Sequence, residues 1–204
     1  MNESSKKVPV TLVTGFLGAG KTTLLNHILS SGDARRFAVI ENEFGDLGVD
    51  GSLVGAPQEL VFELNDGCVC CTVREDLIEV FEQLLARKDE VDHIIIETTG
   101  LAEPAPVMRI FETTDVASAF RLDGVVTVVD AAHIEESLDD VDACAEQIAY
   151  ADMLILNKAD RVSLATLEAA EARLRQLNPL ASLVRAEQAQ VDIDAVLNLG
   201  DRPE

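Results

Sequence analysis

The chain has 204 residues, of which 48% are hydrophobic and 26% charged, an ordinary composition for a globular protein large enough to bury a core. Its formal net charge of -21 argues against nucleic acid or an anionic membrane as the main partner, because both attract positive charge. The charge suits cation handling, but solubility explains it more simply. We expect one domain over residues 1–204.

Apolar β-like runs alternate with amphipathic helical patterns along the chain. This alternation predicts an α/β fold in three layers, with a mostly parallel sheet and helices on both faces. The predicted strands cover 8–14, 37–41, 59–64, 93–98, 124–129, 153–157 and 182–185, and the helices 21–30, 74–87, 106–111, 143–149 and 164–177. We expect loops at 46–58 and 65–72, and an exposed acidic connection at 130–142.

A glycine-rich segment, Gly15-Phe16-Leu17-Gly18-Ala19-Gly20-Lys21-Thr22, joins the first strand to the first helix. In that setting successive backbone N–H groups turn toward one phosphate, whereas a turn that merely closes a βα unit is the competing interpretation. Lys21 would reach the β- and γ-phosphates, and the Thr22 hydroxyl would hold Mg²⁺. The segment predicts a nucleoside triphosphate site.

A buried strand, Ile94 to Glu97, ends in an acidic residue that is followed by Thr98-Thr99-Gly100. In P-loop proteins an acid at this position holds Mg²⁺, usually through water. The Gly100 N–H is then a candidate contact for the γ-phosphate. A solvated strand end is the alternative interpretation of Glu97.

The nucleotide base is predicted from Asn157-Lys158-Ala159-Asp160, which directly follows an apolar strand. The Asp160 carboxylate would accept hydrogen bonds from N1–H and the exocyclic amine of guanine. Adenine lacks that donor pair and would leave the carboxylate unpaired. We therefore expect GTP and GDP as ligands.

Three cysteines, Cys68, Cys70 and Cys71, lie within four residues. Clustered thiols without a secretory signal predict a reducing, cytoplasmic setting and metal or redox chemistry rather than disulfides. Neighbouring carboxylates between Glu41 and Asp46 are candidate further ligands. Zn²⁺ accepts such mixed sites, and Cu(I), Co²⁺ and Ni²⁺ suit the same ligand types. Cys144 and the three histidines, His27, His93 and His133, are predicted to be structural.

Taken together, these motifs resemble the CobW-type branch of the P-loop GTPases, related to the hydrogenase and urease maturation GTPases. The matching segments run in the family's order over nearly the whole chain. They are residues 14–23 (with Thr23 the last residue of the first segment), 41–45, 67–71, 97–104 and 157–160.

The resemblance implies a Mg²⁺-dependent GTPase that delivers zinc, or another transition metal such as cobalt, to a client metalloprotein. It implies that Cys68, Cys70 and Cys71 hold the metal, helped by Glu41 and Asp46. Family members generally carry a second, C-terminal domain, which this chain is expected to lack. Assembly into an oligomer stays open.

Two rival functions follow from the same residues. One is a metal buffer or sensor that binds GTP without productive hydrolysis. The other is a P-loop kinase with a thiol redox switch, although a kinase does not need the guanine contact of Asp160. We expect slow intrinsic turnover, since Leu101 and not glutamine follows Gly100.

Overall fold

The structure is a computed structural model that describes residues 7–41, 60–63, 72–112, 114–140 and 142–200. Seven strands form one sheet in the order β3-β2-β4-β1-β5-β6-β7, and every neighbouring pair is parallel. The strands are β1 Val8–Thr14, β2 Phe37–Glu41, β3 Leu60–Glu63, β4 His93–Glu97, β5 Phe120–Asp130, β6 Met153–Asn157 and β7 Ser182–Arg185.

Eight α-helices lie between or after these strands within the described residues. They are α1 Lys21–Ser30, α2 Thr72–Ala86, α3 Pro104–Met108, α4 Thr114–Ala119, α5 Ile134–Asp140, α6 Asp142–Ala149, α7 Leu164–Leu177 and α8 Ile193–Leu197. None of them is both long and apolar enough to cross a lipid bilayer.

Helices cover both faces of the sheet, as the sequence predicted. Alternate residues of each strand point to opposite faces, so Leu12 and Ile96 pack with Phe81 of α2, while Val13 and Ile95 pack with Leu25 of α1. A third cluster joins β6 to α5, α6 and α7. The α/β fold with a parallel sheet and three layers is therefore confirmed.

The predicted boundaries of β1, β2, β6, β7, α1 and α7 match the structure. Strand β5 is longer than predicted because it begins at Phe120, which pairs with Val8 of β1. The short helices α4 and α8 were not predicted.

The expected exposed connection over 130–142 is wrong, since most of it is helix α5. Although this helix is strongly acidic, Ile134 is buried and Leu138 packs beside it against the third cluster. Two apolar residues four positions apart are enough to attach one face of a short helix. The acidic residues around them hid this pattern.

The carboxyl ends of β2, β3 and β4 each carry a glutamate in the same register. Glu41 lies opposite Glu63 on one side and opposite Glu97 on the other. Neighbouring strands are about 4.8 Å apart, so these three backbone positions form a row at the edge of the sheet where ligands bind in open α/β folds.

Candidate functional site

The glycine-rich loop lies between β1 and α1, at the centre of the sheet. Gly15, Gly18 and Gly20 all have positive φ angles, of 137°, 72° and 112°. At Gly20 the requirement for glycine is twofold, because a Cβ there would also lie 2.5 Å from Nδ2 of Asn157. The loop thus follows a backbone path that L-residues with side chains rarely adopt.

Lys21 folds back over this loop from the first turn of α1. Its Nζ donates to the carbonyl oxygens of Gly15 at 2.9 Å and Phe16 at 3.4 Å, and the residue is only 8% exposed. Burial lowers the pKa of Lys21, and the negative charge of Glu97 opposes this shift. The buried ammonium group is well placed to pair with a phosphate, whose charge would replace the lost hydration.

The Thr22 hydroxyl donates to Oε1 of Glu97 at 2.9 Å. This contact joins the start of α1 to the end of β4, two elements that are 75 positions apart in sequence. The row of glutamates places Glu41 one strand away from Glu97. Hydroxyl and carboxylate oxygens are hard donors of the type that Mg²⁺ prefers, so Thr22 and Glu97 fit that ion.

Asn157 connects the end of β6 to the glycine-rich loop. Its side chain is 2% exposed; Nδ2 donates to the Ala19 carbonyl at 2.9 Å, and Oδ1 accepts from the Ala189 N–H at 2.8 Å. Asn157 therefore holds the glycine-rich loop in place. The nearby Asp160 is exposed on a short 3₁₀ turn.

Lys158 has a left-handed backbone, with φ of 59°, and its Nζ lies 2.7 Å from Oδ2 of Asp130. Burial by itself would raise the pKa of Asp130. Hydrogen bonds from Lys158, the Ala132 N–H and His133 outweigh it, so that the pKa is lowered. Asp130 is thus an ionised partner that orients Lys158.

Sequence reasoning did not single out Asp130. Like Glu97, Asp130 ends an apolar strand, and this position could have marked it as a site residue. The prediction instead places Asp130 at the start of the acidic connection. His133 also contacts Asp130, with 3.1 Å between Nδ1 and Oδ2. The prediction that His133 is structural did not include its contact with Asp130.

A cavity of about 360 Å³ lies beside the glycine-rich loop. It is bounded by Phe16 and Ala19 of the loop, by Asp130 and Lys158, and by Cys144 of α6. The size is within the range of small-molecule sites. Burial raises the pKa of Cys144, which keeps it a thiol that packs in the wall, as predicted.

The remaining predicted nucleotide contacts lie in the same loop or beside it. Gly18 and Thr23 are exposed there, Ala19 is buried, and Gly100 is buried in the turn after β4. One edge of the sheet therefore brings together the candidate phosphate, magnesium and base contacts, although they come from three distant parts of the sequence.

The candidate transition-metal ligands Cys68, Cys70, Cys71 and Asp46 lie outside the described residues. Within the described ranges, no group of three or more His, Cys, Asp or Glu side chains is arranged to hold a metal ion. Glu41, at the end of β2, is half-buried.

Residues 9–185 match the sequence profile described as "CobW/HypB/UreG, nucleotide-binding domain". The chain is 40% identical over 230 residues to the zinc chaperone CobW of Pseudomonas aeruginosa, covering 97% of this chain and 61% of that protein. It is 42% identical over 202 residues to zinc-regulated GTPase metalloprotein activator 1 of Schizosaccharomyces pombe, covering 94% and 49%. The chain thus spans 61% of the length of the first relative and 49% of the second.

Among solved structures, the Zn(II)-bound YjiA GTPase from E. coli superposes with a TM-score of 0.74 at 32% identity, covering 96% of this chain and 62% of that one. HypB from Helicobacter pylori in complex with nickel gives a TM-score of 0.65 at 15% identity, covering 98% and 86%, which is a likeness of fold alone. The predicted P-loop NTPase fold is confirmed.

Proposed function

The chain belongs to the CobW/HypB/UreG family of nucleotide-binding domains, and from this premise we propose that it is a magnesium-dependent GTPase that carries zinc to a client metalloprotein. The relatives named above are a zinc chaperone and a zinc-regulated GTPase. This chain spans only part of their length, so the activity is argued from its own residues.

The contact between Thr22 and Glu97 carries the proposal. It brings a hydroxyl and a carboxylate within 2.9 Å beside a lysine that is 8% exposed and lies over a glycine-rich loop. The charge of Glu97 only partly offsets the burial of the Lys21 ammonium group, and burying a charge is costly unless charged partners compensate for it. A phosphate is such a partner.

The predicted residues around the loop then have separate roles in holding the nucleotide. The backbone N–H groups of Gly15, Gly18, Ala19 and Gly20 and the Lys21 ammonium bind the phosphates, with Thr23 next to them. Asp160 pairs with guanine, Lys158 is oriented by Asp130, and Asn157 holds the loop in shape. Thr22 and Glu97 would hold Mg²⁺, which neutralises charge that develops on the phosphates during hydrolysis.

The zinc site is proposed at Cys68, Cys70 and Cys71 with Glu41 and Asp46. The row of glutamates supports this placement, because Glu41 lies between Glu97 and Glu63 in register. Zinc bound at Glu41 would therefore lie one strand from the magnesium ligand Glu97. Strands β2 and β4 thus offer a short route by which the state of the nucleotide changes the geometry around the metal.

A competition titration tests this coupling. Reduced protein is titrated with Zn²⁺ against a chromophoric chelator, first with GDP and then with a non-hydrolysable GTP analogue. We expect the zinc affinity to differ by about tenfold between the two states, a usual size for coupling between sites. Coupling is reciprocal, so zinc should shift the affinity for the GTP analogue by the same factor.

Cys68→Ser and Cys70→Ser should abolish the shift, whereas Cys144→Ala, which changes a buried cysteine of α6, should keep it. Equal zinc affinity in both nucleotide states would contradict a GTP-gated carrier and favour a metal buffer. Hydrolysis is followed separately by phosphate release, which Lys21→Ala should abolish.

A further inference from the structure

The turn that follows β4 packs directly against the glycine-rich loop. Residues 99–102 form this turn, which is closed by a hydrogen bond from the Ala102 N–H to the Thr99 carbonyl at 3.1 Å. At Gly100 an added Cβ would lie 2.6 Å from both N and Cγ of Leu17. Only a glycine permits this close approach, so the turn and the loop are in direct contact at this point.

Helix α6 holds the same turn from the other side through Gln147. The Nε2 group of Gln147 donates to the carbonyl oxygens of Gly100 at 3.2 Å and Ala102 at 3.0 Å. The backbone carbonyl of Gln147 in turn accepts a 2.6 Å hydrogen bond from the Thr127 hydroxyl of β5. A continuous set of contacts thus runs from β5 through Gln147 to the turn.

The other half of the Gln147 amide is unsatisfied. The side chain is 1% exposed, and among the described residues its Oε1 has no hydrogen-bond partner. Rotating the amide would not help, because Oε1 would then face two carbonyl oxygens. An unpaired buried acceptor is costly, and an apolar side chain of the same shape would avoid that cost.

The polarity of Gln147 is therefore explained by the two carbonyl groups that it holds. Both belong to the turn that contains Gly100, the proposed partner of the γ-phosphate. The other candidate phosphate contacts lie on the loop that Gly100 touches through Leu17.

We propose that Gln147 is a positioning residue for GTP, which fixes the turn 99–102 against the glycine-rich loop in the arrangement that meets the γ-phosphate. This inference rests on the proposed GTP-binding function. Gln147 acts through the carbonyl groups of Gly100 and Ala102. Its loss should weaken binding of GTP far more than binding of GDP, which has no γ-phosphate to meet the turn.

The test compares Gln147→Met with a matched control, Gln176→Met, which makes the same change at an exposed position of α7. Affinities for GDP and for a non-hydrolysable GTP analogue are measured by titration calorimetry with Mg²⁺ present. For Gln147→Met we expect the affinity for the GTP analogue to fall about tenfold, as for the loss of hydrogen bonds that hold a binding group. The affinity for GDP should change less than about twofold, and the control should match the wild type.

A ratio of the two affinities that stays at the wild-type value would overturn the inference, even if both affinities fall together with the thermal midpoint. That result would mean that Gln147 only fills the core. Wild-type protein that binds neither nucleotide would refute the proposed function itself, and this inference with it, so the two failures are distinguishable.

A measurement on the wild type covers the case in which Gln147→Met does not fold. In ¹⁵N-labelled protein the two side-chain Nε2 protons of Gln147 are followed by NMR. We expect slower hydrogen exchange with the GTP analogue than with GDP, because the γ-phosphate would hold the turn on its carbonyl partners. Identical exchange in both states would overturn the inference.

Discussion

Two buried basic side chains, Lys21 and His93, show at the scale of single residues how burial serves function in one place and stability in another. Burial lowers the pKa of each. Lys21 donates hydrogen bonds to the carbonyl groups of its own loop, and its charge is available to a phosphate. His93 begins β4, next to β1; its Nε2 is 2.8 Å from the Thr11 hydroxyl, and the ring stays neutral.

The lowered pKa of His93 predicts that the folded protein loses stability in mild acid. Burial, followed by the positive charges of Arg35 and Arg121, lowers the pKa of His93 to about 3 from its ordinary 6.5. Between these values the unfolded chain binds a proton that the folded chain does not, so stability falls as the pH falls below 6.5. From pH 7 to pH 5 we expect a loss of about 2 kcal/mol in the free energy of unfolding.

Urea unfolding at a series of pH values measures this loss. His93→Phe, placed beside the ring of Phe37, should remove the His93 share of the pH dependence. His27→Phe, on the half-buried side of α1, should keep it. Parallel losses in the wild type and His93→Phe between pH 7 and pH 5 would show that another group is responsible.

At the scale of elements, the site depends on side chains that join the ends of strands to loops. Asn157 joins the end of β6 both to the glycine-rich loop and to the segment after β7, through Ala19 and Ala189. Gln147 does the same for α6 and the turn after β4. Loops held in this way are pre-organised for a ligand, which lowers the entropy lost on binding.

Asn157→Ala is expected to weaken both the fold and the nucleotide site. The Ala189 N–H and the Ala19 carbonyl would lose their partner in a buried place, at a cost of about 1–3 kcal/mol. The loop would also lose its support, so the affinity for GDP should fall. Chemical unfolding and calorimetry measure the two effects.

Asn26→Ala changes an exposed asparagine of α1 and serves as the control, for which we expect wild-type values. If Asn157→Ala lost stability but bound GDP normally, the glycine-rich loop would not depend on this contact.

At the scale of the whole molecule, charge opposes folding. With 37 acidic against 16 basic residues, the folded chain concentrates negative charge, and this self-repulsion destabilises the compact state. Ion pairs such as Arg36 with Asp92 and Arg185 with Glu171 are partly exposed and contribute little against it.

Salt should therefore stabilise the protein. Raising NaCl from about 10 mM to about 1 M shortens the screening length from about 30 Å to about 3 Å, so the thermal midpoint should rise over this range. KCl should give the same curve, because the effect is one of ionic strength. A midpoint that stays constant or falls would contradict net repulsion as the dominant electrostatic effect.

The sequence alone determined the local structure and the identity of the candidate site. Strand and helix periodicities depend on neighbours two to four positions apart, so β1, α1 and β6 were predicted with their observed limits. The motif around Lys21 and the strand-terminal Glu97 were found in the same way, since each depends on a short spacing and on the element beside it. Those features led to the family to which the chain belongs.

Only the tertiary structure decided which distant groups meet. The contact of Thr22 with Glu97, the pairing of Lys158 with Asp130 and the hold of Gln147 on the turn each join residues that are 28 to 75 positions apart. Helix α5 also depends on tertiary structure, because β6 and α7 are needed to bury its few apolar residues. Spacing along the chain carries no information on such contacts; they follow from the order of the strands and the packing of helices on the sheet.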